Sequence, residues 1–233
     1  MDHTDREYHQ QLDQIRRRIL RMAGLVENMI GNSLAALMQA DCELAQKVIK
    51  QDRLVDKLEV DIDDLGVTTL ARWQPMASDL RFVILSFKMV TDLERIGDLA
   101  VNIAERTPDF AKQQRPPWSW TQIEDMSVLA CDMLRDAIDA FLKEDAEKAQ
   151  AVIERDDLMD RAYESAFNDV LTSMHPDDLR LGIHGLSIAK WLERIGDHVT
   201  NLAEQVIFML KGKDVRHTPR DDDSPDIPEA ASS

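Results

Sequence analysis

Apolar residues return every three or four positions through most of this 233-residue chain, the spacing of helices with one buried face. Ile15, Ile19, Met22, Val26, Met29, Ile30, Ser33 and Leu37 share such a face, which predicts a first helix over about residues 5–40. Gly24 and Gly31 lie within it. Asp41 is the residue type that caps a helix start. A second helix follows over about 42–72, with Val48, Val55, Leu58, Ile62, Leu65 and Thr69 inward. Gln74-Pro75 ends it, because proline disfavours the helical conformation in the residue before it. A third runs from near Pro75 to about residue 106, burying Phe82, Leu85, Met89, Leu93, Ile96, Ala100 and Ile103, and Pro108 closes it.

The same plan then recurs. A polar, proline-containing stretch from Ala111 to Pro117 reads as a linker between two units, 1–112 and 113–212. Helix four is expected over about 119–142 (Ile123, Met126, Leu129, Ala130, Met133, Leu134, Ala137, Phe141). Helix five is expected over about 145–173, interrupted at His175-Pro176, and helix six over about 176–211, ended by Gly212. Residues 213–233 have no periodicity and carry Asp221-Asp222-Asp223 among prolines, which reads as a disordered acidic tail. The expected fold is all-α: six long helices in two tandem three-helix bundles packed side by side, with short connections making neighbours antiparallel.

Repetition extends to individual residues. Leu93-Glu94-Arg95-Ile96-Gly97-Asp98 returns as Leu192-Glu193-Arg194-Ile195-Gly196-Asp197. Asn102 and Glu105 match Asn201 and Glu204 at the same offset, as Asp79-Leu80-Arg81 matches Asp178-Leu179-Arg180. An earlier block, Val48-Ile49, Asp52 and Asp56, matches Val152-Ile153, Asp156 and Asp160 at a slightly longer offset. One unit has been written twice, with a shorter spacing between blocks in the second copy.

Composition narrows the function. Forty-four acidic residues against 28 basic ones give a formal net charge of −16. That argues against nucleic acid or an anionic membrane as main partner, since phosphate contacts need Lys and Arg. Cys42 and Cys131 are far apart and form neither a disulfide framework nor a thiolate metal motif. The polar N-terminus is not a secretory signal, and Leu80 to Val90, the most apolar stretch, is too short and too charged to span a bilayer. On these features the expected location is the cytoplasm.

The repeated carboxylates are the candidate chemistry. Residues four apart on a helix lie about 40° apart on one face. Asp52 and Asp56, Glu94 and Asp98, Asp156 and Asp160, and Glu193 and Asp197 are such pairs. Glu59 and Asp63 extend the second helix's stripe, whereas Tyr163 and Phe167 stand where the fifth helix's would continue. Asn102 with Glu105, and Asn201 with Glu204, prolong the other two. Two carboxylates about 5 Å apart at an effective dielectric near 20 repel by about 3 kcal/mol before screening. A cation reverses that sign, and all-oxygen donors suit Mg²⁺, Ca²⁺, Mn²⁺ or iron. The spacing therefore predicts two equivalent metal sites, one per copy. The bland alternative is a solvated acidic face, ordinary in a chain that is 31% charged. No Glu-x-x-His, Gly-rich phosphate loop or G-x-S-x-G elbow occurs. His198 reads as a surface or packing residue rather than a ligand. Gly97 and Gly196, inside helices, would serve close helix approach beside the carboxylates.

Gln74-Pro75-Met76-Ala77-Ser78-Asp79-Leu80-Arg81, the two Glu-Arg-Ile-Gly-Asp motifs and the closing Lys211-Gly212 with Asp214 and His217 resemble the PhoU family. That resemblance implies a non-enzymatic negative regulator of phosphate uptake and the phosphate regulon, commonly a homodimer. Its partners would be the ATPase subunit of the phosphate ABC transporter and the phosphate-sensing membrane histidine kinase. It also implies multinuclear metal, iron or else zinc, manganese or magnesium, on Asp52, Asp56, Glu94 and Asp98, and on Asp156, Asp160, Glu193 and Asp197. Two rival readings stand beside it: a carboxylate-cluster metalloprotein for metal storage or hydrolytic or redox work, and a purely structural helical scaffold.

Overall fold

The computed structural model describes residues 3–112, 119–174 and 176–212. They form α1 (His3–Gln39), α2 (Cys42–Trp73), α3 (Ala77–Ala104), a short α4 (Thr107–Ala111), α5 (Thr121–Lys143), α6 (Ala146–Ile153), α7 (Asp156–Ser173), a 3₁₀ turn (Pro176–Asp178) and α8 (Leu179–Lys211). No strand occurs among the described residues, and none of their helices is long and apolar enough to cross a membrane.

Each copy opens with the same helical hairpin. Ala40 and Glu144 take positive φ, and Asp41 and Asp145 then cap α2 and α6. The Asp41 carboxylate accepts from the Glu43 and Leu44 amides at 2.9 Å, and Asp145 accepts from the Lys148 amide at 2.9 Å. Such caps satisfy backbone donors that have no partner in the first turn. α1, α2 and α3 pack as one three-helix unit, and α5, α6–α7 and α8 as the other.

Three expected boundaries shift. The third helix begins at Ala77 rather than Pro75, after Gln74 at φ 49° has turned the chain. Pro108 does not close that helix. It sits in the first turn of α4, where a missing N–H leaves no bond unmade. The fifth helix is two pieces, α6 and α7, parted at Glu154-Arg155. There the Arg155 guanidinium reaches Asp136 on α5 at 2.7 Å, and its carbonyl accepts from Leu158 and Met159 to start α7. Of the expected linker, Ala111 ends α4, while residues 113–118 lie outside the described residues. His175 and the 213–233 tail also lie outside them.

The predicted inward faces are inward. Ile15, Ile19, Met22, Val26, Met29, Ile30, Ser33 and Leu37 are all buried, and so is the whole predicted face of α3. Leu65 and Leu129 are only partly buried at the core's margin. The core does not stop at the edge of a bundle: one apolar cluster runs through both.

α3 and α8 join the bundles antiparallel, and their contacts repeat about an approximate two-fold. Gln205 Nε2 donates to Asp92 at 2.6 Å, and at the equivalent positions Arg106 lies 5.8 Å from the centre of the Trp191 ring. Arg81 donates to the Met209 carbonyl at 3.2 Å, and its equivalent Arg180 donates to Asp109 at 3.1 Å. On the neighbouring seam, Glu27 of α1 pairs with Arg135 of α5 at 2.7 Å, and Phe82 stacks on Phe141 at 6.0 Å.

Candidate metal centres

The α2–α3 hairpin brings two acidic stripes together. Asp52, Asp56 and Glu59 come from the middle of α2, and Glu94 and Asp98 from α3. Between them Gly97 presents no side chain: a Cβ there would stand 3.5 Å from Asp52 Oδ1 and from Val55. Asp52 Oδ1 is shut off from solvent and has no hydrogen-bond partner. Burial, then the charges of Asp56 and Asp98, push the Asp52 carboxyl up to about 6. Burial and Asp98 push Glu94 up to about 7, against the opposing pull of Arg95. Glu59 is raised as well, by burial and then by Asp63. Arg95 lies 3.3 Å from Asp98 and 3.5 Å from Glu94, but its side chain is 56% exposed, so solvent screens much of what it offers. This is a group of carboxylates short of positive charge.

The second group sits at the α7–α8 hairpin. Asp156 and Asp160 lie in the first turns of α7, Glu193 and Asp197 on α8. Thr200 donates to Asp156 at 3.3 Å. Asp197 has an open face, yet the bulk around it and then the charges of Glu193 and Asp156 raise its carboxyl, with Lys190 opposing. Glu193 Oε2 is buried without a hydrogen-bond partner, while Oε1 accepts from Lys190 Nζ at 2.6 Å. Met159 covers Gly196, leaving its side chain 2.9 Å from where a Cβ would stand.

All eight predicted carboxylates thus gather into two electrostatically coupled groups. Of the predicted extensions, Glu59 joins the first group, whereas those that follow each motif turn elsewhere. Glu105 pairs with Arg106 at 3.2 Å, and Asn201 turns to Asp92 at 3.4 Å, with Glu204 on the same groove. These residues share the face but lie one or two turns further along the axis, about 6 and 10 Å beyond the motif's aspartate. His198 is a packing residue as expected, tied to Asp92 at 2.9 Å.

Metal fits these residues by donor chemistry rather than by a finished cage. Among the described residues, no three His, Cys, Asp or Glu side chains converge as a formed ion site. The orphaned Asp52 Oδ1 and Glu193 Oε2 are nonetheless buried acceptors awaiting a donor or a cation, and an all-carboxylate set suits hard ions. Thr91 and Lys190, equivalent positions one helical turn before each motif's glutamate, were missed from sequence. Carrying the repeat comparison one turn further toward the N-terminus would have found them.

The chain carries two copies of one known unit. The family model described as PhoU domain matches residues 19–107 and 123–206. A Pseudomonas putida protein named phosphate-specific transport system accessory protein PhoU homolog is 38% identical over 92% of this chain and 85% of its own length. The Escherichia coli K12 phosphate-specific transport system accessory protein PhoU is 33% identical, covering 94% of this chain and 92% of that one. The crystal structure of PhoU from Pseudomonas aeruginosa superposes with a TM-score of 0.85 at 36% identity, over 88% of this chain and all (100%) of that one. The Streptococcus pneumoniae phosphate transport system regulatory protein PhoU gives 0.81 at 28% identity, over 89% and 99%. By its repeated domain, its relatives and its fold, this chain belongs to the PhoU family.

Proposed function

We propose that this protein is a cytoplasmic, non-enzymatic adaptor that restrains phosphate uptake and keeps the phosphate regulon off when phosphate is plentiful. In this reading it bridges the ATPase subunit of a phosphate ABC transporter and a phosphate-sensing histidine kinase, and works as a homodimer. The observation that carries the reading is the duplicated Glu-Arg-Ile-Gly-Asp motif in a two-bundle chain whose relatives are named phosphate transport accessory proteins. Long rigid helices with a continuous core suit a bridging part, because they hold two docking faces at a fixed separation.

Divalent metal belongs to the same proposal. Asp52, Asp56, Glu94 and Asp98 would hold it in the first copy, and Asp156, Asp160, Glu193 and Asp197 are the matching set in the second. A bound cation would supply positive charge where the carboxylates repel one another. The chain's own part is to hold the acids on adjoining helices, with Gly97 keeping the ground between them clear.

The test is direct association. The purified protein is expected to bind both the transporter's ATPase subunit and the cytoplasmic portion of the kinase in biolayer interferometry. Binding to neither would remove the adaptor reading.

A further inference from the structure

The two carboxylate groups are not electrostatic equals. Two substitutions between the copies, at positions that face each other across the hairpin, make the difference. In the first copy Thr91 stands 3.5 Å from Glu59 Oε1. At the corresponding places the second copy has Lys190 and Tyr163. Lys190 Nζ lies 2.6 Å from Glu193 Oε1 and 5.3 Å from the centre of the Tyr163 ring. The Glu193 side chain is 13% exposed and that of Lys190 49%, so solvent screens the outer side of this pair, and its hold rests on the short contact to a sheltered carboxylate. An aromatic face attracts the same ammonium. The second copy has thus exchanged an acid and a hydroxyl for an aromatic ring and a cation. Asp63, the next acid of the first stripe, is replaced by Phe167, which packs on Tyr163 at 6.0 Å.

We propose that Lys190 is the resident counter-ion of the second carboxylate group and closes it to divalent cations, so that metal uptake rests on the first group alone. The inference builds on the metal reading above and divides its two sites. A divalent ion entering the second group must displace an ammonium already bonded to Glu193 and held by Tyr163. In the first group the ion meets Arg95, which is about as outward as Lys190 but stands further off, 3.5 Å from Glu94 and 3.3 Å from Asp98. Thr91 puts a neutral hydroxyl, not a second cation, opposite Glu59.

Mn²⁺ uptake by full-length, chelator-stripped protein tests this, read as bound metal by electron paramagnetic resonance and by calorimetry. The parent is expected to lose its tight Mn²⁺ in Asp52→Asn/Asp98→Asn and to keep it in Asp160→Asn/Asp197→Asn. Lys190→Thr should gain a second uptake step that Asp160→Asn/Asp197→Asn removes. Thr91→Lys should lose uptake by the first group. Tight Mn²⁺ on both groups of the parent, Lys190 in place, overturns the inference and leaves the metal reading intact. Uptake by Lys190→Thr alone keeps Lys190 as the counter-ion that closes the second group and overturns the assignment of metal to the first. Should no variant take up Mn²⁺, the metal reading fails, and a double-mutant cycle of Lys190→Thr with Glu193→Gln decides the remainder. Non-additive melting shifts keep Lys190 as the counter-ion, and additive shifts overturn that too.

Discussion

Asp92 of α3 accepts a hydrogen bond from His198 Nδ1 of α8 at 2.9 Å. A carboxylate only accepts, so the proton sits on Nδ1. The same carboxylate takes Gln205 Nε2 at 2.6 Å and Asn201 Nδ2 at 3.4 Å. One acid from the first bundle thus answers three donors from the second. The site lies on a mostly apolar seam, where an unmet polar group is expensive.

Asp92→Ala leaves those donors without their acceptor and is expected to lower stability by about 1–3 kcal/mol. Urea unfolding checks it through the midpoint. An unchanged midpoint would mean that solvent replaces the carboxylate and that the apolar contacts alone hold the bundles together.

The metal-free protein should gain stability as pH falls from 8 to 5. Asp52 and Glu94, faced by Asp56, Asp98, Glu59 and the opposing Arg95, hold their protons up to about pH 6 and 7 in the folded chain. In the unfolded chain they release them near pH 4. The folded state binds these protons more tightly. Their contribution is therefore fully present below the unfolded value and is lost as pH rises through the folded one. Allowing for solvent screening, each contributes on the order of 1 kcal/mol. Below about pH 4 the opposite groups take over. Asp136, held down by Lys148 and Arg155, loses its stabilising charge there. Thermal melts in chelator should show a higher midpoint at pH 5 than at pH 8, and a smaller gain in Asp52→Asn/Glu94→Gln. Equal gains would place the effect elsewhere.

The two motif glycines should respond differently to alanine. At Gly97 a methyl meets Asp52, Val55 and Met29 at 3.5–3.7 Å, ordinary contact. Gly97→Ala should therefore be tolerated and gain up to about 1 kcal/mol from helix propensity. At Gly196 the methyl meets Met159 at 2.9 Å, so the neighbour must move. Gly196→Ala is expected to be neutral or destabilising by about 1 kcal/mol. Chemical denaturation of both variants checks the order.

Periodicity placed the helices, and every position the spacing names on α1 and α3 is buried, although α3 buries Val83, Val90, Leu99 and Ala104 as well. The caps at Asp41 and Asp145 follow from residue type and the turn before them. The break at Glu154-Arg155 was not legible, because it depends on Asp136 from another helix drawing Arg155 aside. The continuous core was hidden for a related reason: which helix of one bundle meets which of the other is set by packing across the α3–α8 seam. At the candidate centres, spacing identified the carboxylates but not their balance. Lys190 and Thr91 matter through what they face on the neighbouring helix, and a one-dimensional stripe does not carry that.

The most direct measurement of the regulatory role is regulon phosphatase activity in phosphate-replete cells of the organism that carries this protein, with the gene deleted and with it restored. The adaptor account predicts high phosphatase in the deletion and repression on restoring the parent chain. Full repression without the protein would contradict it.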